Sequence, residues 1–265
     1  NYDAALGRWM NMDLFSEKYL SYSPYNYVVN NPMKFIDPTG MWIDVHDGDT
    51  SYRYRDGKLY SLNKETKEWD VEADVDNESY AGQILSFLNE IACETCTNGK
   101  KLIDFFSNDK NDVNIMMNNS DEDSKYYNKT FTSRNNIRTS FTQEGDRMTT
   151  SGREPLSKYF FLTLGHELGH VQSGYKFGYT VSKQPWFEYE DSKGSIITVV
   201  KDEVYATDIE NKLREDHNLN LRTHYATDGL GQGDDRSQVL EYKKGKWIKT
   251  FQAKQILYEI QMSKK

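Results

Sequence analysis

The chain has little cysteine, little proline, no excess of positive charge and no long apolar run, and each shortage removes a class of function. Its apolar runs stop after a few residues, the longest around Tyr159 to Leu162, whereas a membrane-crossing helix needs about 20. No membrane span is expected. Lysine and arginine number 33 against 41 acidic side chains, a net charge of −8. Phosphate backbones are gripped by clustered Lys and Arg, so no nucleic acid partner is expected, and no anionic membrane. The first residues, Asn-Tyr-Asp-Ala-Ala, carry no initiator methionine, basic stretch or apolar stretch. They read as no signal peptide, and the chain is expected to be the end of something longer. The two cysteines, Cys93 and Cys96, form one CxxC in a stretch, Tyr80 to Cys96, that reads as helix. With no second ligand pair and no thioredoxin-like βαβ pattern, two ordinary thiols are the default; a disulfide outside a cell and a metal pair are the alternatives.

What is present describes a folded, polar protein of 265 residues, 37% apolar and 28% charged. That length suffices for one large or two small domains. The aromatic share of 14% owes much to 19 tyrosines, which pack a ring while keeping a hydroxyl wet. Two of only five histidines fall in Leu164-Gly165-His166-Glu167-Leu168-Gly169-His170. Four residues turn a helix through about 400°, so His166 and His170 share one face and can grip one metal ion. Glu167, about 100° further round, can reach a water beside that ion without ligating it. This is the HExxH pattern of zinc peptidases, and Zn2+ is the expected cofactor.

Residues 1–41 hold three of the five prolines and are too short to bury a core alone. From Trp42 to Asp76 the sequence turns strand-like, with alternating residues 51–55, the turn Asp56-Gly57 and alternating residues 58–62 predicting a hairpin. The hairpin serves either as a bridge from upstream or as a surface element of the catalytic domain. Helical spacing covers 79–107 with a break at Asn98-Gly99. Strands are predicted at 113–117, near 130–132 and at 138–141; zinc peptidases hold substrate as an added strand beside the metal, and one of these is a candidate for that edge. Pro155 opens a helix over 156–175. Gly165 and Gly169 each lower its propensity by about 1 kcal/mol relative to Ala, which points to close approach by another element or to a marginal helix. Residues 174–194 read as a loop whose aromatics, Trp186, Phe187 and Tyr189, either line a pocket or plug the core. A helix over 202–213, a hairpin at 239–248 and a final helix from Phe251 to Met262 complete the chain.

A catalytic zinc takes about three protein ligands plus water. The three-histidine spacing HExxHxxGxxH is excluded, since position 176 is Lys. The third ligand is therefore sought among the acids of the 202–213 helix, and the choice falls on Glu203, with Asp202 and Glu210 close behind. Asp208 or Glu210 would hold a histidine's other N–H. Zinc would polarise the scissile carbonyl and lower the pKa of its water toward about 7, with Glu167 as general base. An oxyanion donor is sought in the cluster Arg222, His224 and Tyr225; Tyr225 is favoured, the alternative being a ring that only packs.

Two resemblances sharpen this reading. Tyr2-Asp3-Ala4, Leu6-Gly7-Arg8-Trp9, Ser23-Pro24-Tyr25-Asn26-Tyr27, Asn30-Asn31-Pro32 and Asp37-Pro38-Thr39-Gly40-Met41 together resemble the end of the Rhs (YD-repeat) core of bacterial polymorphic toxins. The resemblance implies an upstream Rhs shell, a toxin domain after Gly40, a cognate immunity protein, and synthesis in the bacterial cytoplasm followed by secretion or delivery into a target cell. It also implies self-cleavage near Met41-Trp42 by Asp13 and Asp37, although Asp13-Leu14 stands where the family motif is led by Asp-Pro; the alternative is that both aspartates only cap turns. Residues 165–170, with Glu203-Val204-Tyr205-Ala206, Glu210-Asn211, Leu213-Arg214 and Leu221-Arg222-Thr223-His224-Tyr225, resemble the NleD-like effector metallopeptidases. That family implies zinc-dependent cleavage of intracellular proteins with Glu203 as third ligand. The expected fold is α+β and zincin-like, an active-site helix on a small mixed or antiparallel sheet. Its expected divisions are 1–41, the end of the Rhs core; 42–78, a strand-rich connector; and 79–265, the metallopeptidase domain.

Overall fold

The computed structural model describes residues 2–3, 8–9, 42–107, 111–120, 130–140, 159–190, 194–226 and 233–263. Asp13, Asp37 and Pro155 lie outside these residues. Near the start, β1 (Tyr2–Asp3) and β2 (Arg8–Trp9) form a two-stranded antiparallel ladder.

The architecture is α+β. Seven strands, β3 (Ile43–Asp47), β4 (Thr50–Arg55), β5 (Lys58–Ser61), β6 (Val71–Glu72), β7 (Val113–Met117), β8 (Phe131–Ser133) and β9 (Asn136–Thr139), form one mixed sheet in the order β6-β5-β4-β3-β7-β9-β8. The predicted hairpin is β4–β5, with Arg55 opposite Lys58. Asp56 (φ 51) and Gly57 (φ 79) are both left-handed, as a two-residue turn matching strand twist requires. In β3 the buried Ile43 and Val45 alternate with less buried Asp44 and His46, the period-two pattern of a half-buried strand. β3 then pairs in parallel with β7. The expected boundary between connector and catalytic segment at 78/79 therefore coincides with no break in the sheet.

The sheet's buried residues, Ile43, Val45, Leu59, Val113, Ile115 and Ile137, join one core with the helices. α1 (Tyr80–Ile91) sends in Ile84, Leu88 and Ile91, and α2 (Thr97–Phe106) sends in Leu102, Ile103 and Phe106. The break between them falls at 92–96 and not at Asn98-Gly99. An added Cβ at Gly99 would lie 1.7 Å from the carbonyl oxygen of Ile91, so glycine is there for close packing inside α2. Cys93 and Cys96 consequently lie in the interhelix turn, outside any regular helix, except that Cys96 is the residue preceding α2. They are joined in a disulfide, against the default of two ordinary thiols: the turn bonds Cys96 N to Cys93 O at 3.0 Å and holds their Cα atoms 4.9 Å apart, within bridging reach.

α3 (Phe160–Phe177) crosses α4 (Asp202–Asp216), and the two share the most extensive helix–helix contact among the described residues. The glycines make the crossing possible. A Cβ at Gly165 would lie 2.2 Å from Leu213 Cδ1, and one at Gly169 would lie 3.1 Å from Ala206 Cα. Residues 174–194 are not a plain loop: α3 extends to Phe177, and β10 (Pro185–Glu190) pairs antiparallel with β11 (Ile196–Val200). β12 (Leu240–Lys243), β13 (Lys246–Lys249) and α5 (Phe251–Met262) follow the sequence reading closely.

Candidate metal centre

Because α4 lies so close on α3, acids at the start of α4 meet histidines in the middle of α3. Glu203 Oε2 sits 3.1 Å from Nε2 of His166 and 3.1 Å from Nε2 of His170, with both imidazoles buried. One donor atom from each residue falls within 4.8 Å of the others. Tetrahedral ligands at about 2.0–2.1 Å from zinc stand roughly 3.3 Å apart. The donor set therefore matches two imidazole nitrogens and a carboxylate about one small ion.

The outward nitrogens are also held. His170 Nδ1 is 2.8 Å from Asp202 Oδ2 and His166 Nδ1 is 3.2 Å from Glu210 Oε2. A carboxylate on Nδ1 fixes the ring and leaves Nε2 to the metal, as ligating histidines require. Glu210 is fixed in turn by Arg214 Nε, which donates to Oε1 at 2.9 Å, and by Arg222 Nη1, which donates to Oε2 at 2.7 Å.

The electrostatics follow from packing charges where water is scarce. Burial disfavours the charged form of both imidazoles, but Glu203 and Glu210 outweigh it at His166 and raise its pKa. At His170, Glu203 and Asp202 outweigh burial and hold the pKa well above the ordinary value. Burial pushes Glu203 the other way, and the two histidines overcome it, holding that carboxyl well below the usual range. Burial at Glu210 is overcome in the same direction by Arg222 and Arg214. Without an ion the cluster is thus a set of carboxylates sharing protons with imidazoles, and a cation would take the protons' place.

Glu167 stands apart from this knot. Its Oε2 accepts a hydrogen bond of 2.6 Å from Thr132 Oγ1, which also donates to the Glu167 carbonyl at 3.3 Å. Thr132 belongs to β8, one of the two edge strands of the large sheet among the described residues. The residue meant for general base is therefore free of the ligand set and oriented by an edge strand, the one near 130–132 named as a candidate substrate edge.

Beyond the ligands, Arg222 organises the segment after α4. It donates to the carbonyls of His224 (3.2 Å) and Tyr225 (2.8 Å), and its guanidinium lies 4.9 Å from the Tyr225 ring centroid. The Tyr225 ring stacks on His166 at 6.3 Å and meets Trp186 of β10 at 6.4 Å. Trp186 also packs against the core, so the aromatic patch serves both packing and the rim of the site. Of the two acids expected on a histidine, Glu210 takes that place and Asp208 does not: it pairs with Lys212 at 2.9 Å and Lys249 at 2.8 Å. His224 has Nδ1 2.9 Å from Thr223 Oγ1, and its ring fills the space a Cβ on Gly233 would take.

Sequence reasoning missed the parts played by Asp202 and Thr132. Helical geometry held a signal for the acids: seven residues return to about the same face, so Glu210 follows Glu203, whereas five residues land about 140° away, which removes Asp208. Asp202 and Thr132 carried no such signal, since each acts through a contact between distant segments. Among known proteins, no family model, curated sequence or solved structure matches the chain.

Proposed function

We propose that the protein is a zinc-dependent endopeptidase. The observation that carries this is the convergence of His166 Nε2, His170 Nε2 and Glu203 Oε2, with Glu167 left out of the cluster and hydrogen-bonded to Thr132. A structural ion pair would have no use for the second feature. When bound, zinc supplies Lewis acidity, polarising a carbonyl and making water acidic near pH 7.

The chain's own residues do the rest. Asp202 and Glu210 keep the Nδ1 protons of His170 and His166 and so direct each Nε2 inward. Thr132 holds the Glu167 carboxylate, which takes a proton from the attacking water and returns it to the leaving amine. Tyr225, held by Arg222 and stacked on His166, is the proposed donor to the developing oxyanion. An extended substrate would run alongside β8, whose Thr132 holds Glu167, and such a strand-lined approach favours a peptide over a small non-peptide substrate. The resemblance of residues 1–41 to the end of an Rhs core supports reading this peptidase as a delivered toxin that cleaves proteins of a target cell, with an upstream shell and an immunity protein as partners.

The test is cleavage of a proteome-derived peptide library by the zinc-loaded chain. The expected result is endoproteolysis that disappears in Glu167→Gln at unchanged zinc content; cleavage that persists in that variant would sink the reading.

A further inference from the structure

The far end of α4 carries a second convergence that the peptidase does not use. His217, the residue that ends α4, places Nε2 3.3 Å from Cys96 Sγ and 3.0 Å from the carbonyl of Glu90. Its ring lies against Phe161, centroids 4.5 Å apart. Donor atoms of Cys93, Cys96 and His217 all fall within 4.8 Å of one another. The setting is rigid: Asp216 accepts from the backbone N–H of Asn98 and Gly99 at 2.8 Å each and from the Asn98 side chain at 2.9 Å, which clamps the start of α2 to the end of α4.

From this we infer a redox-gated site for a thiophilic divalent cation, formed by Cys93, Cys96 and His217 once the disulfide is reduced. Cys96 is wholly buried and Cys93 is half-buried, so an incoming thiolate reaches Cys93. It bonds to Cys93 Sγ while the S–S bond breaks and the electron pair leaves on Cys96 Sγ. A second thiol of the same dithiol reductant then releases Cys93 and closes its own disulfide. Two electrons and two protons pass to the protein and the products are two thiols. The start of a helix and an adjacent imidazole both favour a thiolate at Cys96. Two thiolates and a neutral imidazole are a sulfur-rich zinc-type donor set. On binding, Nε2 exchanges the Glu90 carbonyl for the ion and the ring's proton is carried on Nδ1. Sulfur and nitrogen ligands of one zinc stand about 3.6 Å apart, near the 3.3 Å already present between Cys96 and His217. Oxidation removes two of the three ligands at once, so the same pair is a strap in an oxidising medium and a metal clamp in a reducing one.

The probe is Co2+ added to the whole chain, oxidised or reduced with a phosphine, which becomes a phosphine oxide by taking the oxygen of water as the disulfide gains two hydrogens. The readout is sulfur-to-cobalt charge-transfer absorption, to which His166, His170 and Glu203 contribute nothing. The expected result is the band in the reduced chain only, its absence in Cys93→Ser, and binding weakened by more than about tenfold in His217→Ala. A reduced chain without the band, a band that survives Cys93→Ser, or undiminished affinity in His217→Ala would each overturn the inference. None of these outcomes bears on the HExxH site, which is read separately by loss of peptide cleavage.

Discussion

The two ends of α4 put histidine beside acid or sulfur for different purposes. Over its first half, Asp202, Glu203 and Glu210 meet His166 and His170, and the charges of the group, buried or half-buried, are each answered by another. At its end, Asp216 caps α2 through backbone N–H groups and His217 leans on a disulfide. The first is a network whose parts cannot be removed singly, because a buried charge without its partner is costly. The second is closed by a covalent bond that chemistry can open. One helix, crossed closely by α3 at Gly165 and Gly169, sets the geometry of both.

Substitution of Glu167 separates chemistry from structure at the first end. Glu167→Gln should lower the rate of peptide cleavage by roughly 10²–10⁴-fold while leaving the melting temperature and bound zinc unchanged; a matching loss of zinc would show that Glu167 is a ligand and break the distinction. Next in size is Glu210→Gln, which leaves Arg214 and Arg222 without their shared carboxylate. Destabilisation of about 3–5 kcal/mol is expected by denaturant unfolding, with zinc affinity reduced about 10–100-fold. Crowding the crossing comes third. Gly169→Ala pushes a methyl to within 3.1 Å of Ala206 Cα and should cost about 1–3 kcal/mol in packing, of which the better helix propensity of Ala returns about 1 kcal/mol, so the net loss of stability is small while both ends of α4 move. Smallest of all is Asp208→Asn. Lys212 and Lys249, its partners, are exposed by 44% and 39%, so stability should change by less than about 1 kcal/mol and zinc binding not at all.

Acidity acts on the first end of α4. In the ion-free chain the pKa of His170 is raised above its ordinary value by carboxylates that outweigh burial. Pairing of its imidazolium with Glu203 and Asp202 therefore stabilises the fold fully below about pH 6.5 and fades as pH climbs through the raised pKa. Zinc needs the neutral imidazole, so its stabilising effect grows over that same interval. Melting curves with and without zinc should diverge as pH rises; curves that converge would mean that zinc does not compete with these protons.

Much of this was legible in the sequence where periodicity carries the information. The 3.6-residue repeat placed α3 and α4, the Asp56-Gly57 turn set the β4–β5 hairpin, and α5 was read from Phe251 to Met262 as it stands. His166, Glu167, His170 and Glu203 were named from spacing and resemblance. What was not legible depends on elements far apart in the chain: β3 beside β7 in one sheet, Asp202 on His170, Thr132 on Glu167, and His217 on a cysteine 121 residues away. The glycines of the HExxH helix were a partial exception, since their low propensity already asked for a close neighbour.

On the proposed reading, three side chains from two crossing helices hold one ion, which is read by the zinc retained by the oxidised chain, with the disulfide closed, after gel filtration. One zinc per chain is expected for the parent and for Glu167→Gln, and none for His166→Ala/His170→Ala. Equal zinc in the parent and the double variant, or none in either, would contradict it.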